Sequence, residues 1–478
     1  MIPSSRVFDQ SVMTALLDHD PVVAEYRAFF SWFDWSLVDD FQAQRSSRGR
    51  PAHPESAYLK AFLLRQNEGF IYTTQLRRFL LKHPLLVIEL GFHLVLDPSA
   101  PYGFDSNKTL PCRYWFTQKL HLLDPDLLQA LLQATVTALM QEIPGLGEVV
   151  AFDVKHIYAW VKENNPRVYV KDRYDKEQIL SGDPDCKLGV KRSSNQDTPQ
   201  EPGQPQEPST PDKEPSRTHT QRTKQVNQDT QPPEPTSTGK KEKKEYIWGY
   251  GSGVAAATDP IYGDVVLAEY TLPFNEADVT YYRPLFRRVV VATNQLPTHV
   301  TADAAYDYWY VYETVAHRQG IAAIPLNRHG HEDVPRDPDG TPRCWAGLRM
   351  HPTSLFQHTN GFRAQRFRCP LLFPTRTGQT CPHAQFVKGK GCVKDPNWEK
   401  GGLMRALLDR TSPLYHAVYT QRTACERINS QAQALGIERP KVRNIRSVRN
   451  LNTLIYVVIN VRALAKAKSI NKGLLQMN

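Results

Sequence analysis

The sequence contains no run of about 18 apolar residues, which argues against a membrane-spanning helix. Its opening, MIPSSRVFDQSVM, has neither the basic start nor the apolar stretch of a signal peptide. Cysteine is scarce: there are seven in 478 residues, an odd number placed mostly in the second half. That distribution excludes a disulfide framework and indicates a reducing compartment. No fixed-period repeat occurs, which removes solenoids and propellers. Acids are outnumbered, 49 against 59 Lys and Arg, for a net charge of +10 and a pI near 9.1. The excess favours a polyanionic partner. The expectation is a soluble, cytoplasmic protein with no membrane partner, long enough for two or more domains.

Residues 1–145 have helical spacing between identifiable stops, and the clearest helix starts at Asp124 with Pro125 in its first turn. An all-helical N-terminal domain for DNA binding or dimerisation is expected there. Glu148 to Val154 (EVVAFDV) is a short apolar run of buried-strand type that delivers Asp153 near its end. Residues 193–245 hold nine prolines, no aromatic residue and one large aliphatic, Val226. Such a segment cannot bury enough surface to offset its ordering, and is read as a disordered insertion.

Two strand-like segments follow, WGYGSGVAAAT and GDVVLAEYTLP, joined by hairpin chemistry at Asp259, Pro260 and Gly263. Then come a helix interrupted near Pro284, a strand reaching Asp303 with a helix behind it, and a strand at Ile321 to Leu326. The order predicts an α/β fold with a mixed sheet and flanking helices, its first part in residues 146–192 and 246–326. Residues 327–400, rich in Gly, Pro, Arg, His and Cys, read as an inserted module. Residues 401–478 return to helix: Pro413 to Leu435 as one helix closed by Gly436, and a last one from about Val448.

Two-metal phosphoryl transfer needs hard oxygen ligands converging on cations about 3.5 to 4 Å apart. Here one Asp ends the first strand, Asp303 ends the later parallel strand, and Glu426 lies on a helix after the insertion. Neighbouring strand ends with a helix leaning over them bring three such side chains together.

With these residues in view, the chain resembles the DDE transposases of bacterial insertion sequences. In that family the helix carrying the third carboxylate reads Tyr, two residues, Arg, three residues, Glu, six residues, Lys. Tyr419, Arg422 and Glu426 keep that spacing here, while the Lys position is Gln433, with Arg427 and Arg439 nearby as replacements. The segment TADAAYD around Asp303 is similar to the family's second-carboxylate motif. Where the family commonly has a hydroxyl residue two places after the first Asp, this chain has Lys155; Asp172 and Asp175 are the alternatives, although neither ends an apolar strand.

The resemblance covers most of the chain outside 193–245 and the cysteine-bearing module. It implies an RNase H-like core and a DNA transposase that cleaves and joins insertion-sequence ends. It further implies two Mg²⁺ or Mn²⁺ ions on Asp153, Asp303 and Glu426, with DNA contacts from Tyr419, Arg422 and the Gln433 position. The implied partners are double-stranded terminal repeats and target DNA, bound by a homodimer associated with the bacterial nucleoid. An RNase H-like nuclease or resolvase would use the same carboxylates with water as nucleophile. A transposase-derived DNA-binding protein would keep the basic surfaces and lose an acid, whereas all three acids are present.

Residues 436–472 hold nine Lys or Arg against one acid, Glu438, which makes Lys441, Arg443, Arg446 and Arg449 candidates for phosphate contacts. Arg45, Arg48 and Arg50 form a shorter basic patch, and Trp309, six residues past Asp303, is a candidate for stacking on a displaced base. Cys369, Cys381, His383 and Cys392 place four soft or borderline ligands within 24 residues on turns rich in Pro and Gly. That set suits a structural Zn²⁺, with Cys344 as the alternative to His383; unliganded buried thiols are the other reading.

Overall fold

Aspartates and prolines set the helix starts in the first part of the chain. Asp20 accepts from the Val23 N–H at 2.9 Å and Asp124 from the Asp126 N–H, each with Pro at the next position. In the computed structural model, which describes residues 10–43, 53–193, 243–327 and 334–477, these caps begin α2 and α9. The helices of this region are α1 (Gln10–His19), α2 (Pro21–Phe30), α3 (Ser36–Ala43), α4 (Glu55–Asn67), α5 (Thr73–Lys82), α6 (Pro84–Leu90), α7 (Ser106–Thr109), α8 (Arg113–Leu122) and α9 (Pro125–Glu142). Helix α4 is buried at nearly every position, so the others pack around it. Its Arg65 spends its guanidinium on the carbonyls of Phe70 and Ile71. Arg45, Arg48, Arg50 and residues 194–242 of the expected insertion lie outside the described residues.

The strands are β1 (Val149–Tyr158), β2 (Lys187–Ser193), β3 (Lys243–Asp259), β4 (Gly263–Pro273), β5 (His299–Thr301) and β6 (Ala322–Ala323). The sheet runs β2-β3-β1-β5-β6, with β4 also on β3. β3 and β4 form a hairpin closed at Asp259 and Gly263; β1 is antiparallel to β3 and parallel to β5, and β5 is parallel to β6. The result is an α/β fold with a mixed sheet. By contact density Met1–Gly189 with Trp248–Asn478 form one unit and Val190–Ile247 another.

Helices α10 (Tyr282–Thr293) and α11 (Trp309–Ala316) flank the sheet. The inserted module carries β7 (His351–Gln357), β8 (Arg363–Arg368), α12 (Ala384–Val387) and β9 (Val393–Lys394), and α13 (Lys400–Leu407), α14 (Pro413–Thr420), α15 (Thr423–Ala434) and α16 (Ile445–Met477) complete the chain. Packing of α13 on α11 is close enough that a side chain at Gly401 would collide with the Trp309 carbonyl. A two-pronged ion pair from Arg405 to buried Asp307 holds the same contact.

Four elements differ from the sequence expectation. The single helix expected over 413–435 breaks between α14 and α15, where the Thr420 and Thr423 hydroxyls bond the carbonyls of Ala417 and Thr420. Pro284 does not interrupt a helix; it sits third in α10, where its missing N–H has no intrahelical role. β1 continues to Tyr158, so Asp153 lies mid-strand, and the strand expected over 321–326 shrinks to Ala322–Ala323.

Helix α16 packs on α9, β4, α4 and α8. Buried Asn460 ties it to the sheet: its amide donates to Thr135 Oγ1 and the Val266 carbonyl at 2.8 Å, and its Oδ1 accepts from the Val266 N–H at 2.9 Å. Truncation orphans the Val266 N–H and carbonyl, while the Thr135 hydroxyl keeps its bond to the Leu132 carbonyl, so Asn460→Ala is expected to cost about 3 kcal/mol. A lower denaturant midpoint at unchanged slope would show this, and a wild-type midpoint would contradict it.

Candidate active site

Val150, Ala151, Phe152 and Val154 of β1 are buried, and Asp153 interrupts that apolar run. It lies opposite Val254 of β3. On the other side the parallel register pairs Val149 with His299, Val150 with Val300 and Ala151 with Thr301, a constant offset of 150. Asp153 and Asp303 each lie two residues beyond the last of these pairs, and the Asp303 charge acts on Asp153. β5 ends at Thr301, and Asp303 caps a short 3-10 turn, Ala304–Tyr306, accepting from the Ala305 N–H at 2.9 Å.

A second turn, Asp278–Tyr281, follows β4 and packs against β1 and the turn after Asp303. Its seat is made by glycine: a Cβ at Gly251 or Gly253 of β3 would overlap the Tyr281 ring. The turn brings in Asp278, which sequence reasoning passed over. Burial pushes the Asp153 carboxyl from 3.8 to about 7, with the Asp303 charge adding and Arg422 opposing. Burial, followed by Asp303, pushes Asp278 to about 6. The Tyr306 hydroxyl is fully buried within the field of all three aspartates and has no hydrogen-bond partner among the described residues. Asp172 and Asp175, the alternatives to Asp153, occupy an exposed turn.

Helix α15 lies over β1. Asn429 donates to Asp153 Oδ2 at 2.9 Å and leaves its own buried Oδ1 without a partner. Arg422 faces Asp153 electrostatically and pairs with Glu426 at 2.6 Å. The Glu426 side chain is 48% exposed. The structure therefore brings together Asp153, Asp303 and Asp278, and leaves Glu426 on the adjacent flank of α15, connected through Arg422. Among the described residues no three His, Cys, Asp or Glu side chains are gathered as a bound metal ion requires. Asn429 was legible in principle, seven residues after Arg422 and so on one helix face. Asp278 had only its position after a strand to mark it.

Gln433 accepts from Lys155 Nζ at 3.1 Å, and Lys155 also pairs with Glu438 at 3.2 Å. The cation at this position is thus Lys155, two residues after Asp153. Arg427 is committed to Asp264 through two bonds of 2.7 Å, and Arg439 lies over the Tyr158 ring at 4.1 Å. Tyr419 stacks on Tyr415, with Arg422 over it at 5.8 Å.

Among the expected phosphate contacts, Lys441 and Arg443 lie over the exposed Trp160 ring at 5.7 and 4.9 Å and, with Arg439, Lys162 and Asn165, line a cavity of 370 Å³. Arg446 and Arg449 are engaged elsewhere. Arg446 donates to the Leu122 and Leu123 carbonyls and Arg449 to that of Thr271. Trp309 lines a separate cavity of 690 Å³ with Arg283, Tyr308, Tyr310, Phe362 and Arg405. No protein-family model matches the chain, and no curated protein matches it either.

The raised Asp153 pKa has a consequence for stability. A carboxyl lifted in the folded state favours folding in its protonated form, so its contribution is present below 3.8 and is lost as pH rises through about 7. Asp153→Asn removes that loss. Thermal melts are expected to show the variant gaining Tm over wild type at pH 8 and the gain vanishing towards pH 4; a pH-independent difference would contradict the assignment.

Proposed function

We propose that the chain is a DDE-type DNA transposase with an RNase H-like core, in which Asp153, Asp303 and Glu426 are the catalytic carboxylates. The observation that supports this most is the parallel pairing of β1 with β5, which ends two residues before Asp153 and Asp303 and leaves Asp153 within the field of the Asp303 charge. The sheet supports it too: three antiparallel strands, β1, β3 and β4, continued by two parallel ones, with α15 laid over β1.

The residues fit a divalent cation on two counts. Their donor atoms are hard oxygens, and two buried polar atoms at the site, Asn429 Oδ1 and Tyr306 Oη, have no partner among the described residues. Asp153, Asp303 and Glu426 would hold Mg²⁺ or Mn²⁺, which supplies the charge that activates water or a 3′-hydroxyl and stabilises the leaving oxygen. Asn429 orients the Asp153 carboxylate, and Arg422 balances Asp153 and Glu426 between them. Lys441 and Arg443, held over Trp160, grip phosphates of a double-stranded terminal repeat, and a homodimer pairs the two ends.

Once sequencing of the DNA beside the gene has supplied a terminal inverted repeat, Asp153→Asn, Asp303→Asn and Glu426→Gln are each expected to abolish cleavage of a duplex carrying it, with duplex binding nearly unchanged. Substantial cleavage by any one variant removes that residue from the site. Lys441→Ala and Arg443→Ala are each expected to lower the slope of log affinity against log salt by about one and to weaken binding to all sequences alike. An unchanged slope would show that this face does not meet phosphate.

A further inference from the structure

The inserted module has very little apolar interior. Its buried cluster consists of Cys344, Met350 and Phe367, with Cys392 and Trp398 packed against it. Its polar staples, such as Arg343 and Arg349 on buried Asp337, have half-exposed guanidiniums, and such pairs contribute little. Some other interaction must hold these turns and short strands together.

Four of the seven cysteines meet in this module. β8 and β9 pair antiparallel as Phe367 with Lys394 and Arg368 with Val393; one step further the same register sets Cys369 opposite Cys392. The proximity is confirmed at Gly391, where a Cβ would stand 2.6 Å from the Cys369 Cβ and 3.4 Å from its sulfur. Cys344 opens a tight turn in which the Gly347 N–H bonds the Cys344 carbonyl at 2.9 Å, and the Trp345 N–H in that turn donates to the Cys392 sulfur. The Cys392 thiol, raised chiefly by its burial, also lies within the field of Cys344, Cys369 and Cys381. Residues 344, 369, 381 and 392 thus come from four separate segments to one neighbourhood, all with free thiols, although no three of the sulfurs are gathered as a bound ion requires. His383 stands apart in role: its Nδ1 accepts the Gln385 N–H as the cap of α12 and lies 3.7 Å from the Cys392 sulfur.

We infer that Cys344, Cys369, Cys381 and Cys392 are the ligands of a structural zinc ion, with His383 a neighbour that caps a helix. Two of the thiols sit at a strand end and a tight turn, where a change of χ1 re-aims a sulfur at little cost. Four thiolates satisfy a tetrahedral ion completely, leaving no open position for catalysis, and binding supplies the folding energy that the small core lacks. This assignment is independent of the proposed transposase activity.

The test is metal analysis of the full-length protein purified without chelator. About one zinc per chain is expected, with the zinc lost and the Tm lowered in Cys344→Ser, and both retained in His383→Ala. Since the serine variant risks misfolding, the wild-type protein exchanged with cobalt(II) gives a second reading: its visible spectrum should be that of a tetrahedral tetrathiolate. A spectrum of three thiolates with one imidazole, or zinc lost from His383→Ala, would overturn the ligand set in favour of His383. A zinc-free protein of full stability would overturn the site altogether.

Discussion

The parallel pairing of β1 with β5 is the constraint from which the site follows. Three paired residues on each strand fix the offset, and a slip of one in β1 would turn Asp153 to the opposite face of the sheet. Everything else at the site is placed relative to that pair. The turn carrying Asp278 is seated by glycines of β3, and α15 is set over β1 so that Asn429 reaches Asp153. Three aspartates in a partly buried neighbourhood are costly to charge, which is why two of them titrate well above their ordinary range. The protein tolerates this cost because the strands, and not the acids, determine the backbone.

How much of this was legible depends on whether a residue's role is local. The mixed sheet was readable from the alternation of apolar runs and turns, and the hairpin from Asp259, Pro260 and Gly263. Asp153 and Asp303 announced themselves as acids within or directly after apolar strands. Asp278 did not, because its place is set by the packing of a turn onto β3, which no spacing encodes. The direction of Glu426 was hidden for a different reason: Arg422, four residues earlier, competes for it at 2.6 Å. Charge counting likewise treated Arg446 and Arg449 as equals of Lys441 and Arg443, although Arg446 and Arg449 reach carbonyls away from the Trp160 ring and Arg443 bonds the carbonyl of Trp160 itself.

The cysteine module shows the same division. Four ligands within 24 residues drew attention to Cys369, Cys381, His383 and Cys392, and His383 does lie 3.7 Å from the Cys392 sulfur. His383 also caps a helix through Nδ1, while Cys344, well outside that window, lies in the buried cluster against which Cys392 packs. The module leans on the rest of the fold at α11 and α13, where Gly401 permits close approach and Asp307 takes Arg405. That anchorage joins it to the chain immediately after Asp303.

Helix α16 has 33 residues, which at 1.5 Å per residue makes a rod of about 50 Å. It touches α4 and α8 of the N-terminal helices and β4 of the sheet, so it works as a shared spine. Two halves built on one spine cannot hinge freely against each other, because bending it would break backbone bonds along its middle, where Tyr456, Val457 and Val458 are wholly buried. Under the function proposed above, a duplex lying across both halves would meet a fixed ruler, and the DNA would have to do the bending.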